Sequence, residues 1–367
     1  MNILHTESSC GWGGQEIRIL TEAQGFLQKG HTVHLLCPAE APIYQAALQR
    51  GIPATALPMA KKTWAGFRAM RRWLQENPQV TLVNTHSSTD TWLVALARET
   101  LATRLPLVRT RHVSTKIRNN VFSRWLYQKA TDHIVTTGEA VRRQLMEENG
   151  IPGQHMTSVV TGIDLQRFSP APAHQARQQV GLPLGKKLLG IVSTLRSWKG
   201  HVDLLDALVI LLPERPDLHL VIVGHGPQYA ALQERIANMK LAHAVTMVGQ
   251  QENVPCWLQS FDWFVLPSYG EEGVPQAVMQ AMACGLPVVS TPIGGIGEAV
   301  EDGVTGLLTP PRQPVALAAT LARLLDDAEL TQRMGEAGRA RALQRFGFDL
   351  MVSNMERVFQ QVVDQTR

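Results

Sequence analysis

The sequence predicts an α/β protein made of two Rossmann-like domains, each built on a parallel sheet. Three observations carry this. Short apolar, β-branched runs alternate with helix-capable stretches in two consecutive arrays. These runs lack strict in–out alternation, as parallel strands covered on both faces do. Charge also divides the chain: residues 1–170 hold 19 Lys and Arg against 12 Asp and Glu, and residues 171–367 hold 16 against 19. The halves therefore carry +7 and −3 within a net charge of +4, which suits two domains with separate tasks. The length of 367 residues agrees, at roughly 150 residues per domain.

In chain order, MNILHT reads as a strand that runs into SSCGWGGQE and then a helix, EIRILTEAQGFLQK. HTVHLLCP, TLVNTHS, PLVRTRHV and HIVTTG are further short strands, each followed by a helix-capable stretch. FSPAPAHQARQQVGLPLGKK, residues 168–187, is rich in Pro, Ala, Gln and Gly and reads as a boundary. The alternation then restarts. KLLGIVST, LHLVIVGHG, AVTMVGQ, FDWFVLPS and PVVST are strands, and HVDLLDALVILLPE, YAALQERIANMK, VPCWLQS and PQAVMQAMAC are the helices between them. VALAATLARLLDDAEL and a last helix from Asp349 to the end form a helical tail that braces the first domain. The expected domains are thus 1–170 and 171–348, with 349–367 packing back on the first.

Composition removes several classes. Hydrophobic residues make up 44% and charged residues 18%, which excludes a largely disordered chain. The N-terminus has no basic region ahead of an apolar run, so no signal peptide is expected. Nothing approaches about 20 uninterrupted apolar residues, the length of a membrane span. The 4 cysteines have neither zinc spacing nor a disulfide framework, and the default is a cytoplasmic, reducing location. No metal is expected, because HExxH and clustered carboxylates are missing. Nucleic acid is not an expected partner, since no zinc finger or RNP-like segment occurs.

The basic half contains KKTWAGFRAMRRWL, residues 61–74. Read as a helix, it brings Trp64, Phe67 and Arg71 to one side, with Lys61, Lys62, Arg68 and Arg72 around them. Interleaved aromatic and basic residues suit an anionic membrane surface. An ordinary surface helix docked by its aromatics explains the same pattern.

Several segments could carry chemistry. Gly11, Gly13 and Gly14 lie between a strand and a helix, where bare backbone and a helix N-terminus favour a phosphate. GWGGQE is neither GxGxxG nor a Walker loop, and a tight turn without ligand explains it too. Glu16 could cap that helix or accept from a hydroxyl. Arg196 and Lys199 in STLRSWKGH follow the first strand of the second half, and two cations there can neutralise a diphosphate leaving group. Gly224, His225 and Gly226 permit another close approach. In PSYGEEGVPQAVMQAMACGLPVV, Glu271 and Glu272 precede a helix opening at Pro275; a carboxylate there accepts from two hydroxyls, and N–H groups near Gly273 and Val274 can donate back. Gln280 offers an amide eight residues after Glu272. His86 and His112 each follow a strand, placed to position a hydroxyl or carry a proton, although a structural role fits either.

Taken together, these segments resemble a retaining glycosyltransferase of the GT-B fold, in family 4, over nearly the whole chain. GGQE at 13–16 with KGH at 29–31, VTGIDLQRFSP at 160–170, KG at 199–200, VGHGP at 223–227 and EEGVPQAVMQAMACGLPVV carry the resemblance. It implies two lobes around a cleft, with an acceptor-binding domain at 1–170 and a nucleotide-sugar donor domain at 171–348. Gly13, Gly14 and Lys199 would meet the donor diphosphate, joined by Arg196 and Gly226. Glu272 would hold hydroxyls of the transferred sugar, with Val274 and Pro275 shaping the pocket. Glu272, Lys199 and His112 are the expected catalytic residues, and Glu16 and His86 are acceptor-side or structural. The resemblance implies no metal and no cofactor beyond the donor, a UDP, GDP or ADP hexose or heptose. It implies a glycan or lipid-linked acceptor in cell-envelope polysaccharide or lipopolysaccharide synthesis, with the enzyme cytoplasmic or peripheral on the inner membrane face. Two positions depart from the family pattern. Gln280 stands where the family has a second glutamate on the nucleotide ribose. Thr194 stands where a phosphate-binding arginine is common, and Arg196 follows two residues later. A sugar-nucleotide epimerase or hydrolase of the same fold, or a non-catalytic nucleotide-sugar-binding protein, are the alternatives.

Overall fold

The computed structural model describes residues 1–112, 115–270 and 272–366. The chain divides into two compact units, Met1–Gly162 with Phe348–Arg367, and Ile163–Gly347.

The first unit holds a sheet of β1 (Asn2–Thr6), β2 (Thr32–Cys37), β3 (Ala54–Ala56), β4 (Leu82–Thr85), β5 (Leu107–Arg111), β6 (His133–Thr136) and β7 (Met156–Ser158). Its order is β3-β2-β1-β4-β5-β6-β7, with every pairing parallel. Side chains alternate across a strand. Here successive apolar residues feed two different cores, which is why the strand sequences show no polar–apolar alternation. Ile3, Val33, Leu35, Leu82, Val108 and Val135 enter one core. Leu4, Leu36, Val83, Leu107 and Ile134 enter the other.

The first core is closed by helices Gly14–Gln28 and Phe348–Thr366. Phe26 and Phe359 stack there with ring centroids 5.3 Å apart. Glu356 on the last helix accepts from Lys29 Nζ at 2.5 Å and sits 2.6 Å from His31 Nε2. The final helix is therefore held by both burial and charge.

The helix Trp64–Glu76 is capped by Thr63, whose hydroxyl accepts from the Gly66 N–H at 3.1 Å. It buries Gly66, Met70 and Leu74. Trp64 stays 66% exposed and stacks on Phe67 at 4.9 Å, with the Arg68 guanidinium 5.7 Å from its ring. Arg71 does not join this group: its Nε donates to Thr100 Oγ1 at 3.0 Å.

The second unit holds β8 (Lys187–Val192), β9 (Leu218–Val223), β10 (Val245–Gly249), β11 (Trp263–Leu266), β12 (Val288–Ser290) and β13 (Gly306–Leu308). The order is β10-β9-β8-β11-β12-β13, again all parallel. The Pro- and Gln-rich stretch near residue 170 is not a bare linker. It contains the helix Ala173–Val180, anchored by Arg177, which donates to Ser260 O at 2.8 Å and to Asp262 Oδ2 at 2.7 Å. The stretch VALAATLARLLDDAEL breaks in two, into Pro314–Asp326 and a helix starting at Ala328. Asp327 between them caps the second helix, accepting from the Leu330 N–H at 2.8 Å. Among the described residues no helix is long and apolar enough to cross a membrane.

Candidate functional site

In an open parallel sheet, ligands sit beyond the carboxyl ends of the strands, where the strand order reverses. In the second unit that point lies between β8 and β11. The loops that follow these two strands carry Lys199 and Glu272.

After β8 the chain makes a single helical turn, Ser197–Lys199, and reaches Gly200. Gly200 has φ of +76° and lies so near the other loop that a Cβ would be 2.1 Å from Pro267 O. The two loops thus run backbone against backbone, and the Tyr269 N–H donates to Trp198 O at 2.8 Å. This contact delivers Lys199 to Glu272. Lys199 Nζ donates to Glu272 Oε1 at 2.6 Å, and Ser268 Oγ donates to the same oxygen at 2.7 Å. Glu272 is buried at 5% exposure, and the Lys199 side chain is 17% exposed. The pair is a desolvated cation and anion that neutralise each other.

A third loop grips the glutamate from behind. The Gly295 N–H donates to Glu272 O at 3.2 Å, and a Cβ on Gly294 would lie 2.0 Å from that oxygen. Ser268 O accepts from Thr291 Oγ1. Val274 and Pro275 are buried, and Pro275 opens the helix Gln276–Ala283 with no side-chain cap. Gln280 is half-buried on this helix. Glu271 lies outside the described residues.

Arg196 is exposed, with its guanidinium 5.3 Å from the Trp198 ring, and it does not join the Lys199–Glu272 pair. Gly226 has a packing reason of its own: a Cβ there would lie 2.8 Å from both N and O of Leu195, against which the loop after β9 closes. Behind Lys199, the His201 imidazole is pushed down to about 4 by burial, with the Lys199 charge adding to it.

In the first unit the strand order reverses between β1 and β4. His86 follows β4 and His112 follows β5. His86 Nδ1 lies 2.9 Å from His112 Nε2, and His86 Nε2 lies 3.0 Å from Nδ1 of His5 on β1. Burial first, then neighbouring positive charge, holds His86 and His112 well below the ordinary imidazole range. Asp90 supports the row by accepting from the His86 N–H at 2.9 Å and from Thr6 Oγ1 at 2.8 Å.

Glu7 is buried in the loop after β1. It accepts from the Ser9 N–H at 2.7 Å and from Gln15 Nε2 and Ser87 Oγ. It therefore ties the Gly11–Gly14 loop to the β4 loop. Glu16 is buried in the first helical turn under that loop: a Cβ on Gly13 would lie 3.8 Å from its Oε2. Gly13 takes the N-cap position and Gly14 opens the helix.

The geometry thus joins Lys199 to Glu272 and His86 to His112. It adds four residues that the sequence reading did not single out: Ser268, His5, Glu7 and Asp90. Only Asp90 had a local signature, a capping box with Ser87 at the start of the helix Ser88–Arg98. Among the described residues no group of three or more His, Cys, Asp or Glu could hold a metal ion.

Comparison with known proteins gives the family and the fold. Residues 12–167 match Glycosyltransferase Family 4, and residues 173–341 match Glycosyl transferases group 1. The lipopolysaccharide core biosynthesis mannosyltransferase LpsB of Rhizobium meliloti is 30% identical over 69% of this chain and 72% of its own length. A D-inositol 3-phosphate glycosyltransferase of Thermobispora bispora is 28% identical over 71% of this chain and 66% of its own. Alignment with that second relative thus spans slightly less than two thirds of its length. Among solved structures, Anabaena Alr3699/HepE in complex with UDP superposes with a TM-score of 0.87 at 22% identity, covering 98% of this chain and 100% of that one. That likeness establishes the GT-B fold, two Rossmann-like lobes with a C-terminal helix. The chain belongs to the GT-B glycosyltransferases, family 4 in its N-terminal part and group 1 in its C-terminal part.

Proposed function

We propose that this protein is a retaining glycosyltransferase that moves a hexose or heptose from a nucleotide-diphosphate sugar to a glycan or lipid-linked acceptor of the cell envelope. The observation that carries the proposal is the Lys199–Glu272 pair with Ser268 at the reversal point of the second sheet. The Anabaena protein was solved with UDP, which favours a uridine carrier. The relationship to a lipopolysaccharide core mannosyltransferase favours an envelope acceptor.

The chemistry follows from the residues. The bond between the sugar C1 and the diphosphate oxygen breaks, its electron pair leaves with the phosphate, and the sugar gains oxocarbenium character. Lys199 offsets the charge on the leaving phosphate. Glu272 accepts from sugar hydroxyls and fixes the ring. The acceptor oxygen bonds to C1 on the face the phosphate leaves, and its proton passes to a phosphate oxygen. Arg196 is a second cation for the diphosphate once it leaves Trp198. Gly226, Val274 and Pro275 line the donor, and Gln280 bonds the ribose. The roles of Gly13, Gly14, Glu16 and His112 belong to the same proposal and rest on the resemblance. Trp64, Phe67, Lys61, Lys62 and Arg68 form the surface offered to an anionic membrane.

A panel of UDP, GDP and ADP sugars tests the reading, with a membrane extract as acceptor source and mass detection of product. The expected result is an acceptor-dependent product with the donor's anomeric configuration, read by NMR. Free sugar without acceptor would mean a hydrolase or epimerase, and donor binding without turnover would mean a sensor. Membrane docking is tested with anionic vesicles: neutralising Lys61, Lys62, Arg68 and the neighbouring Arg72 is expected to abolish binding, and unchanged binding would refute this surface.

A further inference from the structure

We infer that His5 and His86 are positioning residues that set the tautomer of His112, so that His112 presents Nδ1–H as a hydrogen-bond donor. The inference rests on the reading above only in giving that donor a substrate to face.

The three imidazoles form one chain. His5 Nδ1 meets His86 Nε2 at 3.0 Å, and His86 Nδ1 meets His112 Nε2 at 2.9 Å. His5 and His86 stack with centroids 5.3 Å apart, and the other end of His5 is closed by Phe26 at 6.5 Å. Burial disfavours the charged form of each ring, so each holds one proton at neutral pH.

Counting protons leaves two arrangements. Each inter-ring bond needs one N–H and one lone pair. A neutral His86 has one of each, so it donates to one neighbour and accepts from the other. If the bonds run from His112 toward His5, the last proton sits on His5 Nε2. That atom is buried and has no partner. If they run from His5 toward His112, His5 Nε2 is a bare lone pair, and the last proton sits on His112 Nδ1. An orphaned buried N–H is the rarer and costlier state. The chain therefore runs from His5 to His112. His112 is half-buried where the other two rings are fully buried, and among the described residues its ring is bonded through Nε2 alone.

The consequence is chemical. With Nδ1 protonated, His112 gives a hydrogen bond to an oxygen, such as a sugar hydroxyl or a phosphate. It does not take the proton of the attacking hydroxyl. Asp90 fixes the row by accepting from the His86 backbone N–H at 2.9 Å.

The test is long-range proton–nitrogen NMR on the full chain with labelled histidine at pH 7.5, assigned with His5→Gln, His86→Gln and His112→Gln. The expected spectrum has His112 Nδ1 protonated and Nε2 bare, and His5→Gln or His86→Gln erases that preference. His112 with Nε2 protonated, or a preference unmoved by His86→Gln, would overturn the inference. If a variant does not fold, the wild-type spectrum alone decides. Transfer assays separate this from the functional reading. His86→Gln is expected to lower kcat roughly tenfold or more with little change in donor KM. A correct tautomer with full activity in both His86→Gln and His112→Gln would leave the chain of bonds standing and refute the role of His112 in transfer.

Discussion

Lys199 and Glu272 meet through a single carboxylate oxygen: Lys199 Nζ lies 2.6 Å from Oε1, the same atom that Ser268 Oγ reaches at 2.7 Å. Two donors on Oε1 fix the plane of the carboxylate and leave Oε2 as the oxygen that, on the proposed function, would meet sugar hydroxyls. The ion pair also keeps either charge from being buried alone. Lys199→Ala should therefore do two separable things. It should lower kcat/KM by about 10²- to 10³-fold through lost stabilisation of the leaving phosphate. It should also lower Tm, because Glu272 stays buried without its cation. In a double-mutant cycle, adding Glu272→Ala should recover part of the lost Tm, since the stranded charge is gone. Strictly additive Tm losses would show that the pair is not coupled in the folded protein.

Glu272 and Gln280 should divide the donor between them. Glu272→Ala is expected to damage kcat more than Gln280→Ala, because the sugar ring carries the reacting carbon and the ribose does not. Gln280→Glu places a charged acceptor where an amide stands, so donor KM should fall with kcat unchanged. Steady-state kinetics on the true donor checks both, and equal losses in the two alanine variants would refute the sugar–ribose division.

Gly200 is the hinge pin between the two loops. Its φ of +76° and the 2.1 Å approach of a Cβ to Pro267 O leave no room for alanine. Gly200→Ala should push the Lys199 turn away from the β11 loop and break the 2.6 Å pair. Activity should then fall toward that of Lys199→Ala, although the lysine is still present. Full activity in this variant would mean that the loop contact does not position Lys199.

The sequence made the alternation of strands and helices legible because both sheets are covered on two faces. Runs such as LVIV at 220–223 and LLGIV at 188–192 then have nothing polar to interrupt them. The edge strands β3, β7 and β13 escaped because each is three residues long and none has the adjacent β-branched apolar pair that marks the equally short β12. Lys199 and Glu272 were readable one at a time as loop residues. Their pairing was not, because it depends on β8 and β11 being neighbours, a contact between residues 73 apart in sequence. His5 and Glu7 had no local signal at all. One sits in an ordinary strand, the other in a loop, and each matters only through partners brought in by β4.

Glu7 offers a test of that second network by pH. Burial raises its carboxyl to about 8, with the Asp90 charge adding to the effect. The folded protein thus keeps a proton that the unfolded chain releases in the ordinary carboxylate range. Stability from Glu7 is fully present below that range and is lost as pH rises through about 8. Asp90 is raised to about 6, so its own contribution is largely exhausted before the upper part of this window. Glu7→Gln keeps the shape and removes the titration. Its Tm should stay nearly level between about pH 6.5 and pH 8.5 while the wild-type Tm falls, so that the variant becomes the more stable protein at the alkaline end. Parallel melting curves across that range would mean that Glu7 is already ionised in the folded protein, with Ser87, Gln15 and the Ser9 N–H holding it as a carboxylate.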